Sequence, residues 1–514
     1  MQKFGLLFYI FSFTMATTAR AQHDSLEQHS VLSLQQQQLY QWYKQQSAAL
    51  LVNPIQHYTT VGLSWQQETG EYRRVQQAEK VRSASFAAEG LQKVKNIWVQ
   101  GTFSYQRRWE DRIRYNMRRD INDLSPYYYF APRTGNMNYE IYHLDGQVAA
   151  PVLHHKWVVG GGVSYDASTN SRTIDPRPVG RYFNLDGKAS VSYYITPKQF
   201  ISIEPRFGYS REMVSYFNKN TDSASTAAYQ VYRAEGLVEV SSSSETKSEM
   251  QQWRYFHGIN AGYYLNTIAA GYWWARYQYL QTNEKTFYRN YNPLVMALYS
   301  TMHYYQNQVA AGWYKTFRRV TTSASWSTQV IKASDFNTYL DGSNFTLYNI
   351  QHTATAMLSL NSNNRPVHEW GLSWQSRQQQ QKDGNHTAKA DYKRNLYALQ
   401  YRWNIYGKKN IVQVTANGGL SVNNNSSLQL STASKENLFV KAVVYPDAQY
   451  ASTSNWQGGL KLAYIQNATA TLRWAIEGGM QYQRSYQQDL FYTTSGFTPG
   501  KDRVAWTAGL RFFL

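Results

Sequence analysis

Stretches of about ten residues in which apolar and polar side chains alternate recur along most of this chain. The final residues are a clear case. Val504, Trp506, Ala508, Leu510, Phe512 and Leu514 are apolar; Arg503, Ala505, Thr507, Gly509 and Arg511 lie between them, and Phe513 alone departs. The same period of two runs through NIWVQGTFSYQ (96–106), KWVVGGGVSYD (156–166), FISIEPRFGYS (200–210), RNLYALQYRWNIY (394–406), VQVTANGGLSV (412–422) and TATLRWAIEGGMQYQ (469–483). Successive side chains of a strand point to opposite faces, so each stretch predicts a strand with one apolar and one polar face. The stretches are near the roughly 9–11 residues a tilted strand needs to cross a bilayer, and longer than the mean soluble strand of about 5–6.

The polar faces carry Arg, Glu, Lys and Gln in mid-strand, and aromatic residues cap the apolar faces near their ends. That is a lipid-facing band with aromatic girdles around a wet interior; a soluble barrel would turn its apolar face inward. The expected fold is all-β: a closed antiparallel transmembrane β-barrel of about 16–20 strands, even in number. Short connections (195–199, 265–267, 405–410, 465–469) contrast with long polar ones (107–136, 166–186, 211–228, 281–306, 334–348, 379–393, 485–501), which predicts one end with tight turns and one with loops. The region 211–265 breaks this alternation.

The first residues predict export. Lys3, the apolar run 4–16 and Ala19-Arg20-Ala21 have the order of a secretory signal peptide, giving a signal over 1–21 and a mature start at Gln22. Residues 22–56 form a separate periplasmic or lumenal segment, possible in size as a small plug, and 57–514 form the barrel. Within 32–54, Leu32, Leu39, Tyr43 and Leu50 make a helical stripe that Asn53-Pro54 ends. Composition agrees: 44 Tyr, 16 Trp and 21 Phe suit strands and a boundary that is oily on one side and wet on the other. Cysteine is absent, which removes disulfides, thiolate metal sites and a lipid-anchoring cysteine. The net charge of +19 would suit nucleic acid, but an exported chain does not meet it.

Signal, alternation and aromatic last strand together resemble the outer-membrane β-barrel proteins of Bacteroidota. The stretch 53–105 (NPIQHYTTVGLSWQQETG through VKNIWVQGTFSY) resembles a barrel family of unknown function found near TonB-dependent receptors. That resemblance implies the cell outer membrane as location, with lipid and lipopolysaccharide around the wall. It also implies the barrel assembly machinery as a partner, and a TonB-dependent receptor or surface lipoprotein as a further one. Asn53-Pro54 is similar to the end of the N-terminal hatch in fatty-acid transporter barrels, although Ile55 and Gln56 depart from that pattern. The stripe Trp506, Leu510, Phe512 and Leu514 then reads as the assembly signal, ending on Leu where such barrels typically end on Phe.

No phosphate loop, no HExxH and no fixed Ser, His and acid constellation mark an enzyme, and no cofactor is expected. His154-His155 is the only adjacent histidine pair, and alternation sends the two rings to opposite faces. Lys156, Arg206, Arg402, Lys461, Arg473 and Arg511 lie on polar faces and are candidate lumen-lining cations, biasing a channel toward polar or anionic solutes. The densest local feature is 106–133. There Arg107, Arg108, Arg112, Arg114, Arg118 and Arg119 interleave with Trp109, Tyr115, Tyr127, Tyr128 and Tyr129. Such a loop either docks an anionic ligand by paired guanidinium contacts or packs its arginines on Glu110, Asp111, Asp120 and Asp123. The expected function is transport of polar or anionic solutes; the alternatives are an accessory barrel that binds a partner and, less favoured, an outer-membrane enzyme.

Overall fold

The computed structural model describes residues 33–53, 57–152, 156–220, 229–243, 246–267, 270–291, 294–363, 365–469, 472–487 and 497–514. The signal segment 1–21 and the His154-His155 pair lie outside the described residues.

Among the described residues twenty-one strands form. In chain order they are β1 (Tyr58–Gly70), β2 (Lys80–Val94), β3 (Ile97–Ile113), β4 (Tyr127–Phe130), β5 (Gly135–Val152), β6 (Trp157–Arg172) and β7 (Arg177–Thr196). They continue with β8 (Gln199–Phe217), β9 (Val231–Glu235), β10 (Val240–Ser243), β11 (Lys247–Thr267), β12 (Gly271–Tyr291), β13 (Leu294–Thr316) and β14 (Val320–Asn337). The last are β15 (Phe345–Ser362), β16 (Arg365–Asp383), β17 (Ala388–Tyr406), β18 (Asn410–Gln429), β19 (Ser454–Asn467), β20 (Arg473–Gln487) and β21 (Asp502–Phe513). Eighteen of them pair antiparallel, each with its neighbours in the wall, and β1 closes the ring on β21 with Gly62 opposite Arg511 and Gln67 opposite Trp506. Closure leaves no unpaired strand edge in hydrocarbon.

The two faces of the wall invert the soluble rule. Leu63, Leu399 and Ile476 point outward and are each 56% exposed, while Glu204 and Glu369, on inward faces, are buried. Outward aromatics meet along the wall, Trp65 of β1 reaching Trp109 of β3 across β2 toward one rim and Trp273 meeting Trp313 on neighbouring strands toward the other, with ring centroids 6.0 and 5.8 Å apart. Phe513, the residue out of pattern, turns inward and is buried beside Ile465 and Ala475.

The eighteen wall strands are longer than the alternation predicts, from 12 residues in β21 to 23 in β13. Several polar stretches expected as connections are strand: β6 and β7 are separated only by residues 173–176, and β16 and β17 only by 384–387. Above the apolar band both faces are wet, so the alternation vanishes while the backbone ladder continues. The long connections are 71–79, 114–134, 218–246, 430–453 and 488–501, all at one end of the barrel.

The break at 211–265 has a structural cause. β8 and β11 pair directly in the wall, and the chain between them forms β9 and β10, which join β4 in a separate three-stranded sheet. That sheet packs with residues from 430–453, which contain two short α-helices, α2 (Thr432–Lys435) and α3 (Tyr445–Ser452); the first α-helix of the chain, Leu34–Tyr43, is called αN. Tyr127, Tyr129, Phe130, Val231, Phe439, Val440 and Val444 share one buried apolar cluster with Tyr216, Met250, Tyr288 and Tyr299 of the wall. The loops at this end therefore fold back as a cap with its own core.

Candidate functional site

The interior is closed from the other end by residues 33–53. The helical stripe is realised in part: αN ends at Tyr43, and a 3-10 turn over Ser47–Val52 carries Leu50. Ser33 starts the helix with a reciprocal cap, its Oγ accepting from the Gln36 N–H at 3.1 Å while Gln36 Oε1 accepts from the Ser33 N–H at 2.9 Å. Tyr40, Ala48 and Leu50 pack on Leu91, Trp98, Ala149 and Val158 of one side of the wall. Leu39, Tyr43 and Ala49 pack on Phe200, Tyr264, Trp274 and Ala310 of another. Two wall glycines permit this approach: a Cβ at Gly160 would stand 3.2 Å from the Ala48 nitrogen, and one at Gly262 would stand 2.5 Å from Gln46 Oε1.

Inward carboxylates of the wall hold this plug. Leu34 N–H donates to Glu369 Oε2 at 2.6 Å, Lys44 Nζ to Glu89 Oε1 at 2.6 Å, and Ser47 N–H to Glu204 Oε2 at 2.8 Å. The cap is held likewise. Asp335 accepts from the N–H groups of Asn344 and Phe345 at 2.8 and 2.7 Å and from the Tyr127 hydroxyl. Asp383 Oδ2 accepts from the Val238 and Glu239 N–H groups at 3.2 and 3.3 Å. Arg254 bridges the cap to the wall, 2.8 Å from Asp123 and 2.6 Å from Glu284. A carboxylate that accepts two or three such donors makes strong charge-assisted bonds in a low-dielectric interior.

Beneath the cap a chamber of about 470 Å³ remains. Arg377 of β16 and Arg394 of β17 stand directly opposite each other on neighbouring strands and both line it. Arg394 donates to the carbonyls of Tyr450, Ala451 and Thr453 at 2.8–2.9 Å, satisfying the end of α3. Arg377 reaches only amides, Gln379 Oε1 at 3.0 Å and Asn349 Oδ1 at 3.4 Å. Arg74 joins from the connection 71–79, with its guanidinium 5.8 Å from the Tyr450 ring. Among the described residues none of these three has a carboxylate within ion-pair distance. Asp447 of α3 faces the chamber; burial pushes its carboxyl up to about 6, against the opposing pull of Arg74 and Arg118. Its Oδ1 is buried without a hydrogen-bond partner among the described residues.

The cations named from the sequence are placed differently. Arg206 pairs with Asp186 at 2.5 Å; Lys461 and Arg511 share Glu477 at 2.5 and 2.9 Å; Arg402 lies 3.8 Å from Glu369. Lys156 is exposed on the turn before β6, and Arg473 begins β20. In the arginine-rich segment, Arg107, Arg108 and Arg112 belong to β3 and not to a loop. Arg107 lies over Trp109 at 5.6 Å, Arg108 pairs with Glu110 at 3.0 Å, and Arg112 pairs with Glu79 at 3.0 Å. Arg114 donates to Thr134 Oγ1 at 2.9 Å. Arg118 and Arg119 stack on Tyr128 and Tyr182 at 4.1 and 3.8 Å, and Arg118 donates to the carbonyls of Ile121, Asp123 and Ser125. Sequence reading weighed the cations and passed over the anchoring acids, whose signal is an acidic residue on a polar strand face, as at Glu204 and Glu369.

Comparison with solved structures returns barrels of low identity. A Pseudomonas aeruginosa FadL homologue is 9% identical, with 91% of this chain and 92% of that one covered and a TM-score of 0.36. The copper transporter OprC is 8% identical, with 89% and 81% covered and a TM-score of 0.40. The ferric citrate transporter FecA is 8% identical, with 89% and 78% covered and a TM-score of 0.41. A comparison with curated proteins gives no match. A family model covers residues 47–514, the whole barrel and the end of the plug, and the chain belongs to that family, the family of unknown function DUF6850.

Proposed function

We propose that this protein is a gated outer-membrane barrel that carries small polar or anionic solutes. The carrying observation is the chamber: a space lined by Arg74, Arg377 and Arg394 beneath the cap, in a barrel whose other end is filled by a plug from the same chain. A structural barrel needs no uncompensated cations in its interior, since like charges on directly opposed strand positions destabilise the sheet. A permanently open pore would need no plug. In this reading the tight-turn end with the plug faces the periplasm and the looped end faces outward.

The anchoring by single carboxylates supports a plug that moves as a unit without unfolding the wall. The wall is held by its own ladder, and the plug by a few strong bonds and two apolar contacts. Flux assays in liposomes test the proposal. Proteoliposomes of the intact barrel should pass small organic anions slowly, and the variant Glu204→Ala/Glu369→Ala should pass them at least tenfold faster. Equal and negligible flux in both would end the transport reading.

A further inference from the structure

We infer that the chamber under the cap is a binding site for an anionic carbohydrate, a sugar carrying a carboxylate, sulfate or phosphate. The assignment rests on the transport reading above and names the solute class that the same chamber would take.

The anion requirement comes from Arg377 and Arg394. Side chains directly opposed on antiparallel strands have Cβ atoms about 4.5–5.5 Å apart, so two guanidiniums there repel. Arg394 has its charge partly answered by three carbonyls at the end of α3. Arg377 has two neutral amides and is exposed to the chamber. Arg74 adds a third positive charge. An anion lying between Arg377 and Arg74 would receive paired N–H donors from planar guanidiniums, the geometry that carboxylate, sulfate and phosphate match.

The carbohydrate requirement comes from what surrounds these cations. Gln375, Gln379 and Gln381 project from the same face of β16 as Arg377, and Gln457 and Gln483 line the chamber from β19 and β20. Each amide offers donors and an acceptor on one plane, which suits neighbouring hydroxyl groups that both donate and accept. A bare inorganic anion has no donors for the glutamine oxygens. Tyr392 and Tyr450 supply ring faces for the C–H side of a sugar. The chamber has apolar walls as well, at Leu396, Phe439 and Val444, but a fatty ligand would leave the arginines and glutamines without partners, and the volume of about 470 Å³ falls in the usual range for small-molecule sites, roughly 300–1,000 Å³.

The test is calorimetric titration of the full-length barrel in detergent with digalacturonate, a neutral disaccharide and sodium sulfate. Digalacturonate is expected to bind saturably at one site, at least tenfold more tightly than either control, and to weaken with salt. Arg377→Gln should lose tenfold or more in affinity; its heat-modifiable gel migration, a marker of the closed barrel, should match the parent. Equal affinity for the neutral disaccharide, or for sulfate, would overturn the assignment, as would an Arg377→Gln barrel that binds normally. Proteoliposomes separate the two readings. Saturable digalacturonate binding without flux keeps the site and removes transport. Flux that neither saturates nor responds to Arg377→Gln keeps transport and removes the site.

Discussion

Leu34 donates its backbone N–H to Glu369 Oε2 at 2.6 Å, joining the first turn of the plug helix to a wall strand 335 residues further along the chain. Glu369 also accepts from Asn404 Nδ2 at 2.9 Å and faces Arg402. A helix start has N–H groups with no partner in the helix itself, so a wall carboxylate placed there satisfies the backbone and complements the helix dipole together. One residue thus ties the start of the plug helix to the wall.

Replacing Glu369 by alanine leaves the Leu34 N–H unpaired, takes from Asn404 Nδ2 one of its two acceptors (the Pro366 carbonyl remains), and leaves Arg402 without its facing charge. Each buried polar group left unsatisfied costs about 1–3 kcal/mol. The plug should loosen while the wall stays closed. Planar-bilayer recording should show opening events rare in the parent and frequent in Glu369→Ala, with Glu369→Gln intermediate because its amide oxygen still accepts. Identical traces for all three would mean that this contact does not hold the gate.

How far the sequence disclosed this arrangement depends on what each residue faces. Where lipid lies outside and water inside, as at Leu399 and Gln400, alternation marks the strand and its faces. Past the lipid band, as at Gln378 and Gln380, both faces are wet and the strand reads as loop, although its ladder continues to Asp383. The cap was hidden for another reason. Tyr127, Tyr129 and Phe130 look like a loop's aromatics until the packing partners at Val231, Phe439 and Val444, far along the chain, are known. The chamber depends on the register that sets Arg377 against Arg394, and period-two patterning does not supply register between strands.

The two faces of β17 should respond oppositely to charge. Leu399 is 56% exposed on the outward face, while Gln400 points to the interior. Arginine on the lipid face near mid-membrane costs about 2–4 kcal/mol, and in a wet lumen it costs little. Urea unfolding in lipid vesicles should show Leu399→Arg destabilised by that order and Gln400→Arg within about 1 kcal/mol of the parent. If both variants unfold alike, the inside-outside assignment fails.

The outward stripe of β21 should also matter for insertion. Phe512 lies opposite Val61 of β1 and Trp474 of β20, at the seam that closes the barrel. Phe512→Ser/Leu514→Ser removes two lipid-facing groups from that seam, and burial of a large apolar side chain contributes about 1.5–3 kcal/mol. Surface levels of the variant should fall several-fold by protease-shaving and blotting. Unchanged levels would show that assembly does not read this stripe.

Asp447 should make the cap sensitive to pH. Its folded carboxyl is pushed up to about 6 by burial, above an unfolded value near 3.9, so the folded cap holds its proton longer. Stability is then full below about pH 4, falls as pH rises through the window from 4 to 6, and stays lower above it. Arg74, Arg118, Tyr128 and Tyr392 interact with Asp447, and burial keeps the two tyrosine hydroxyls neutral throughout that window. The loss should be about 1–3 kcal/mol. Hydrogen exchange over 440–452 should accelerate between pH 4 and 6 in the parent and change far less in Asp447→Asn.

Gly262 offers a steric route to the same gate that the Glu369 substitution reaches through hydrogen bonding. A Cβ there would stand 2.5 Å from Gln46 Oε1 and 2.8 Å from the Tyr264 ring, well inside van der Waals contact. Gln46 Oε1 also accepts from the Tyr264 hydroxyl at 2.8 Å, so it cannot withdraw without breaking that bond. The strand conformation itself accepts a branched residue readily. Gly262→Val should therefore leave the wall intact and displace the segment around Gln46, costing the plug about 1–3 kcal/mol, as overpacking typically does. Protease added from the tight-turn side should cleave near residues 44–53 in Gly262→Val and spare the parent, and bilayer recordings should show raised conductance. A plug that stays protected in Gly262→Val would mean that close packing at this glycine does not hold it in place.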